Sequence, residues 1–138
     1  RGTVMPFELV GAPYLEPERF AKELNAAKIP GVVAIPVRFT PTASKFKDEE
    51  CGGVRLLVTD QHSCQSVRIG LTMARLLRRL HPADWDPANL NTLLRHPATA
   101  SALIERVPAE TMRAEWEPDA TRFRARRARH LLYGNEYP

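Results

Sequence analysis

The sequence has few of the residues that build metal sites. Its 138 residues include two cysteines and four histidines. Cys51 and Cys64 do not form a CxxC pair, and the histidines lack the spacing of zinc ligands. We therefore expect no metal site. For the cysteines two states remain open: a disulfide in an exported protein, or two reduced and partly buried thiols.

Long apolar runs are also missing. No segment approaches the roughly 20 apolar residues that a helix needs to cross a bilayer, and no signal-peptide pattern is present. The first residues, "RGTVMPF", include no initiator Met and resemble the middle of a protein. We therefore expect a domain cut from a longer protein, without a membrane span of its own.

Common catalytic and cofactor motifs are absent as well. The sequence contains no Ser/His/Asp order typical of hydrolases and no glycine loop that would cradle a phosphate. No cofactor is therefore expected. Glu8 and Asp60 are two carboxylates of the kind that glycosidases pair, but the sequence does not give the distance between them.

Positive charge is concentrated near the end of the chain. The net charge is +4, and the segment "RFRARRARH" at 122–130 carries five arginines. This segment is either the solvated face of a helix or a patch for phosphate or another anion. Elsewhere acidic and basic residues alternate, which argues against a nucleic-acid partner.

The order of the predicted elements is typical of an α+β domain. We predict a short strand within 6–15, a helix from Pro17, strands at 32–39 and 52–60, and a helix that follows Ser66 and ends at His81-Pro82. A short helical turn around Leu90–Leu94 and a brief helix through Leu103 and Ile104 come next, and a last helical stretch runs from Pro108 to Tyr133 with a break at Glu117-Pro118. The fold class predicted is α+β, a small mixed or barrel-like β-sheet packed against several helices. We expect residues 1–138 to form a single domain.

Hydrophobic periodicity predicts the faces of these elements. The second strand has a strongly apolar face, and Pro36 places that strand at a sheet edge or a bulge. The next strand presents Val54, Leu56 and Val58 on one face. Ser66 and Thr99 are candidate helix caps. The apolar positions are Val33, Ile35, Val37 and Phe39 in the second strand, residues 67, 71, 74 and 77 in the helix that follows Ser66, and Trp116, Ala120, Phe123 and Leu131 in the last helix.

A long polar loop separates two of the strands. Positions 40–52 exceed the two to five residues that a hairpin loop usually needs. The hydroxyls of Thr40, Thr42 and Ser44 lie near the ammonium groups of Lys45 and Lys47 in the sequence, a set that suits a hydroxyl-rich or anionic ligand. The alternative is a solvated loop in which these residues only shape turns.

The start of the chain offers two further candidate binding residues. The Arg1 guanidinium can bind a carboxylate with two hydrogen bonds, and Glu8 can bond sugar hydroxyls or pair with a cation.

A series of short motifs resembles a known family. "RGT..PFE..GAP", "LN", "PGV", "F.PT.SK", "CGGV" and "VTD" occur in this order, followed by a helix with "GL" and by "W.PD..RFR..R..LLY". Together they resemble the C-terminal part of the NamZ family, which comprises exo-acting β-N-acetylmuramidases of peptidoglycan recycling. The resemblance extends from Arg1 to Tyr133.

The resemblance implies a larger enzyme. Family members join an N-terminal Rossmann-like domain to a smaller, barrel-like C-terminal domain, with the active site in the cleft between them. They release N-acetylmuramic acid from the non-reducing end of peptidoglycan fragments and are typically periplasmic or secreted. This chain would then form one cleft wall and bind peptidoglycan-derived sugars, while the principal catalytic carboxylate lies in the other domain. The substrate-binding residues implied are Arg1, Thr3, Glu8, Thr40, Thr42, Ser44 and Lys45.

Two other functions remain open at this point. One is a non-catalytic binding module in which the arginine-rich helix docks an anionic partner. The other is a purely structural cap for the Rossmann-like domain. N-acetylmuramic acid carries a lactyl carboxylate beside hydroxyls and an amide. Lys45 or Arg1, with the neighbouring hydroxyls, would complement that carboxylate. This match favours the role of the chain as a wall of the substrate cleft.

Overall fold

The computed structural model describes residues 2–87, 90–105 and 107–132. Within them the fold is α+β, as predicted: three strands form one antiparallel sheet, and five helices accompany it. The chain divides into two compact units, the first ending at Asp86 and the second beginning at Pro87. All three strands belong to the first unit.

The first unit alternates strands and helices. Its elements are β1 (Leu9–Ala12), α1 (Pro17–Ala26), β2 (Val32–Phe39), β3 (Cys51–Val58) and α2 (Ser66–Leu80). The sheet order is β1-β3-β2, with both pairings antiparallel. β3 is therefore central. β2 is an edge strand among the described residues, which confirms the expectation from Pro36.

Helix α1 follows the pattern in the sequence. Pro17 occupies its first turn, where a missing N–H costs nothing, and Glu18 lies at the positive end of the helix dipole. Phe20 and Leu24 are buried as predicted. The helix ends at Ala26, just before Lys28 adopts a left-handed backbone with φ 48°.

Helix α1 packs on one face of the sheet, and α2 packs against α1. The core includes Ala12, Ala34 and Val54 from the strands, and Phe20 from α1 together with Ile69 from α2. Val54 lies opposite Pro36 in β2, so the even-numbered residues of β2 share its side of the sheet. Burial of this apolar set holds the helices on the sheet.

The apolar face predicted for β2 is not the core face. Val33 and Ile35 are 42% and 38% exposed, whereas Ala34 between them is 4% exposed. Residues that alternate along a strand point to opposite faces, and the register with β3 places Val33 and Ile35 away from the helices. In β3 the predicted face is the core face at Val54 and Leu56, but Val58 at the strand end is exposed.

Two glycines allow β3 to be approached closely from both sides. A Cβ at Gly52 would lie 2.1 Å from the Leu15 carbonyl oxygen, and one at Gly53 would lie 2.1 Å from the Val10 carbonyl oxygen. Both distances are well inside van der Waals contact. The "CGGV" motif is therefore explained by backbone packing.

Helix α2 begins differently from the prediction. Gln65 occupies the N-cap position and makes no side-chain cap bond, and Ser66 is the first helical residue. The prediction that Ser66 caps the helix is wrong. Val67 is exposed, whereas Leu71 and Ala74 are buried as predicted. The helix ends at Leu80, before His81-Pro82, as expected.

The second unit is helical in its described part. It contains α3 (Leu90–Leu94), α4 (Pro97–Ile104) and α5 (Ala109–Ala128). The predicted short helix at 90–94 is confirmed. In α4 the cap is His96, whose Nδ1 accepts a hydrogen bond from the Thr99 amide at 3.2 Å. The Thr99 cap prediction is therefore wrong, because the helix starts two residues earlier, at Pro97.

Helix α5 is continuous, contrary to the predicted break. Pro118 lies inside it, which removes one backbone hydrogen bond but leaves the helix intact. Trp116 and Ala120 are partly buried, whereas Phe123 and Leu131 are exposed. The predicted inner face is thus wrong for its last two members. The predicted end at Tyr133 lies outside the described residues.

Candidate functional site

The loop between β2 and β3 is fastened to the start of the chain. The Thr42 amide donates a hydrogen bond to the Gly2 carbonyl at 2.8 Å, and the Thr42 hydroxyl donates to the same oxygen at 3.3 Å. The Gly2 backbone, at φ 71°, lies so close to the loop that a Cβ there would be 2.4 Å from the Ala43 carbonyl oxygen. The two segments therefore form one structural element.

Hydrogen bonds within the loop add to this order. The Asp48 amide donates to the Pro41 carbonyl at 2.8 Å and closes the loop at its base. The Lys47 amide donates to the Ser44 carbonyl at 3.3 Å. Such bonds offset part of the entropy lost when a long polar loop is fixed.

Left-handed backbone is concentrated in these two segments. Phe7, Ser44, Phe46 and Asp48 have φ of 69°, 69°, 61° and 62°. This region is sterically unfavourable for most residues, though Gly, Asn and Asp tolerate it better, so Phe7 and Phe46 are the least expected there. Each such residue costs of order 1–3 kcal/mol and persists only where its surroundings hold it, which is common at ligand sites.

A surface pocket of about 290 Å³ opens between the two segments. Its size is close to the roughly 300 Å³ at the lower end of small-molecule sites. It lies wholly in the first unit. Its walls combine aromatic rings, two hydroxyls and one ammonium group, contributed by Thr3, Phe7, Leu9, Gly11, Phe39, Pro41, Ser44, Lys45, Phe46 and Cys51.

The aromatic rings are placed by the sheet and the loop. Phe39 is opposite Cys51 in the β2–β3 pairing. Its ring lies over Gly11, where a Cβ would be 2.7 Å from a ring carbon. Phe46 packs partly against the core, and the Lys45 ammonium lies 4.9 Å from its ring centre. This distance is within the range of a cation–π contact, and both residues line the pocket.

Cys51 contributes a thiol that stays protonated. Its side chain is buried and donates weakly to the Glu49 carbonyl at 3.7 Å. Burial, with a smaller effect from the Glu49 charge, raises the pKa of the Cys51 thiol above its ordinary value. A protonated thiol is a poor nucleophile. Cys51 and Cys64 are both free, so of the two states left open by the sequence the structure has the reduced one.

The structure brings together three of the seven predicted site residues. Thr3, Ser44 and Lys45 line the pocket. The Thr42 hydroxyl is engaged by the Gly2 carbonyl, and Thr40 is exposed just after β2 without lining the pocket. Glu8 pairs with Arg55, as described next. Arg1 lies outside the described residues.

Neither carboxylate considered for hydrolysis is arranged as a general acid. The Glu8 carboxylate accepts a hydrogen bond from Arg55 Nε at 2.8 Å. Asp60 accepts from the Ser63 hydroxyl at 2.6 Å and from the His62 amide at 3.0 Å, and these bonds lower the pKa of its carboxyl. A glycosidase acid needs a raised pKa, which Asp60 does not have. Since the Glu8 carboxylate is engaged by Arg55, the geometry does not support the Glu8–Asp60 pair.

Sequence reasoning missed the aromatic members of the pocket. Phe39 was assigned only to a strand face, and Phe7 and Phe46 were not considered. Two signals were available: Phe7 lies within the "PFE" motif, and Phe46 follows Lys45 directly. What the sequence did not contain is their proximity, because the three residues come from different segments.

The described part of the chain shows no metal centre and no membrane span. Among residues 2–87, 90–105 and 107–132, no three His, Cys, Asp or Glu side chains are grouped so that they could hold a metal ion. Over the same residues, no helix combines the length and the apolar composition that crossing a bilayer requires.

Comparison with known proteins identifies the family. The family model described as the C-terminal domain of the exo-beta-N-acetylmuramidase NamZ matches residues 1–133. The chain belongs to the NamZ C-terminal family. Among curated relatives, this NamZ C-terminal domain is 30% identical over 136 residues to the peptidoglycan beta-N-acetylmuramidase NamZ of Bacillus subtilis (strain 168). The match covers 96% of the chain and 33% of that relative.

A solved structure shares the fold of this NamZ C-terminal domain. It is a DUF1343 family protein from Bacteroides fragilis NCTC 9343, with a TM-score of 0.80 and 23% sequence identity. The similarity covers 96% of the chain and 36% of that protein. The chain thus spans about a third of the length of both proteins.

Proposed function

We propose that the chain is the C-terminal domain of a peptidoglycan β-N-acetylmuramidase and forms one wall of its substrate cleft. Membership in the NamZ family and the activity of the Bacillus subtilis relative support the reaction class. The other two thirds of such a protein, with a Rossmann-like domain as second wall, would supply the catalytic carboxylate. In this proposal the enzyme is exported and serves cell-wall recycling.

The pocket beside the 40–50 loop carries this proposal. Lys45, Ser44 and Thr3 all line it, and they offer one ammonium group and two hydroxyls. N-acetylmuramic acid differs from N-acetylglucosamine by a lactyl ether with a carboxylate. An ammonium with neighbouring hydroxyl donors complements that carboxylate and makes it the group that is recognised.

The first experiment replaces the lysine in the full-length enzyme. Lys45→Ala is expected to lower kcat/KM on a chromogenic N-acetylmuramide about tenfold, the loss of one charge-assisted hydrogen bond of about 1.5 kcal/mol. On the matching N-acetylglucosaminide, which lacks the carboxylate, the variant and the wild type should have similar kcat/KM values. Release of the sugar from the two substrates provides both measurements.

Lys47→Ala is the matched control. Lys47 is two residues away, is exposed, and pairs with Asp48 at 3.7 Å without lining the pocket. Its replacement should leave kcat/KM unchanged. Equal kcat/KM on the muramide for wild type and Lys45→Ala would remove Lys45 from the site and would favour a structural role for the domain.

A second candidate function is supported by helix α5. Residues 121–130 are all exposed. Arg122 and Arg124 pair with Asp119 and Glu117. For Arg126 and Arg127 the described residues contain no acidic partner within salt-bridge distance. This surface suits a polyanion, in line with the binding-module alternative.

A further inference from the structure

Phe7 combines two unfavourable features in one residue. Its side chain is 98% exposed, and its backbone is left-handed with φ 69°. Val4 is nearly as exposed. Among the described non-glycine residues, however, Phe7 alone combines a left-handed backbone with an exposed large apolar side chain. Neither feature stabilises the fold, so a ligand-related reason is expected.

The next residue holds Phe7 in this conformation. The Glu8 carboxylate is bonded to Arg55 Nε at 2.8 Å, and the Glu8 carbonyl accepts the Leu56 amide at 2.8 Å. The Glu8 amide donates to the Met5 carbonyl at 3.4 Å and closes a turn around Phe7. Glu8 is thus fixed to β3 by its side chain and its backbone, and it acts as a positioning residue for Phe7.

Phe7 lines the same pocket as Ser44, Lys45 and Phe46, whose chemistry complements a sugar. The ammonium and the hydroxyls suit the polar substituents of a sugar. A phenyl ring cannot bind a carboxylate, but its negative face attracts the C–H groups on the apolar face of a pyranose ring.

We propose that Phe7 is a stacking platform for the pyranose ring of the sugar that enters this pocket. This inference rests on the proposed function, and it names the residue that binds the ring face while Lys45 binds the carboxylate. Stacking would cover the exposed ring with ligand, which explains why a left-handed, exposed Phe is present at this position.

Phe7→Asn tests the proposal because its effects on folding and on binding have opposite signs. Asn tolerates a left-handed backbone better than Phe, so the melting temperature of the full-length protein should stay equal or rise. Loss of the ring should raise KM for the muramide about fivefold, with kcat changed less than twofold.

Two variants serve as controls. Phe7→Tyr, which keeps the ring, should restore KM. Val4→Asn, an equally exposed site outside the pocket lining, should not change KM.

The outcomes separate this inference from the proposed function. Unchanged KM in Phe7→Asn, with a loss of kcat/KM in Lys45→Ala, would overturn the platform and leave the proposed function standing. A lower melting temperature with unchanged KM would show that the ring packs on protein instead.

A different result would test the proposed function itself. If the wild type released no N-acetylmuramic acid, the proposed function would fail. Calorimetric titration of that sugar into wild type and Phe7→Asn would still decide the platform, with fivefold weaker binding supporting it and equal binding overturning it.

Discussion

Asp60 shows how one side chain organises the turn between β3 and α2. Its carboxylate accepts the Ser63 hydroxyl and the His62 amide, and these bonds lower the pKa of the carboxyl below its ordinary 3.8. Gly31, at φ 73°, completes the turn, since its carbonyl accepts the Thr59 amide at 2.9 Å. A Cβ at Gly31 would lie 2.3 Å from the Asp60 carbonyl oxygen, so this position requires glycine.

The Ser63 hydroxyl makes the largest contribution to the lowered Asp60 pKa. Ser63→Ala should therefore raise this pKa toward 3.8, as measured by carboxyl ¹³C NMR titration. A lowered pKa in the folded state contributes stability above about pH 4 that is lost as the pH falls through the folded pKa. The variant should therefore lose less stability on acidification than the wild type. Ser66→Ala, an exposed site without a cap bond, should leave the Asp60 pKa unchanged.

At the scale of elements, the outer edge of β2 is closed by a side chain from α1. Asn25 Nδ2 donates to the Ala34 carbonyl, and Asn25 Oδ1 accepts the Ala34 amide, both at 2.8 Å. The Asn25 amide thus takes the place of a neighbouring strand at Ala34. Two positions further along, Pro36 has no N–H to offer. Together they protect the edge from pairing with another chain.

Asn25→Ala is expected to destabilise the domain by about 1–3 kcal/mol, because it leaves the buried N–H and C=O of Ala34 without their partners. The measurement is urea unfolding at neutral pH. Lys22→Ala, an exposed change on the same helix, should alter stability by less than about 0.5 kcal/mol. A loss smaller than that of Lys22→Ala would mean that water replaces the Asn25 bonds and that the edge needs no side-chain cover.

At the scale of the whole molecule, the two compact units carry different surfaces. The first unit holds the sheet and the pocket, and the second is helical and exposes the arginines of α5. The chain spans 33% of the Bacillus subtilis relative. The proposed activity therefore belongs to a larger protein, to which each of these surfaces can contribute separately.

Salt dependence separates the two surfaces. We expect the affinity of the full-length protein for muropeptides to be the same in wild type and in Arg126→Gln/Arg127→Gln. The control is Arg122→Gln/Arg124→Gln, whose arginines are already paired with acids. Binding to DNA is measured at two salt concentrations with the same variants. Tight DNA binding whose salt slope falls by about 2 only in Arg126→Gln/Arg127→Gln would instead support the second candidate function.

Local features of the sequence were sufficient for most of the fold. The strand at 32–39 is an apolar run between turn residues and has the bounds predicted. Helix α2 ends where predicted, because His81-Pro82 excludes a further turn, although it begins one residue earlier than expected. These features depend on neighbouring residues along the chain. The break predicted at Glu117-Pro118 failed because one proline removes one backbone bond, which a long helix tolerates. For the pocket, the chemistry of the loop residues supplied Ser44 and Lys45, and the family resemblance supplied Thr3.

Only the tertiary structure decided what depends on distant segments. The side of β2 that is buried follows from its register with β3 and from the position of the helices, because a strand with apolar residues on both faces does not specify which one is covered. The pocket shared by Phe7, Phe39 and Phe46 likewise depends on how distant segments pack. The sequence by itself determined which elements form and which charged and hydroxyl groups are available for the proposed sugar site. The tertiary structure determined which of those groups share one site, since only long-range packing brings the start of the chain against the 40–50 loop.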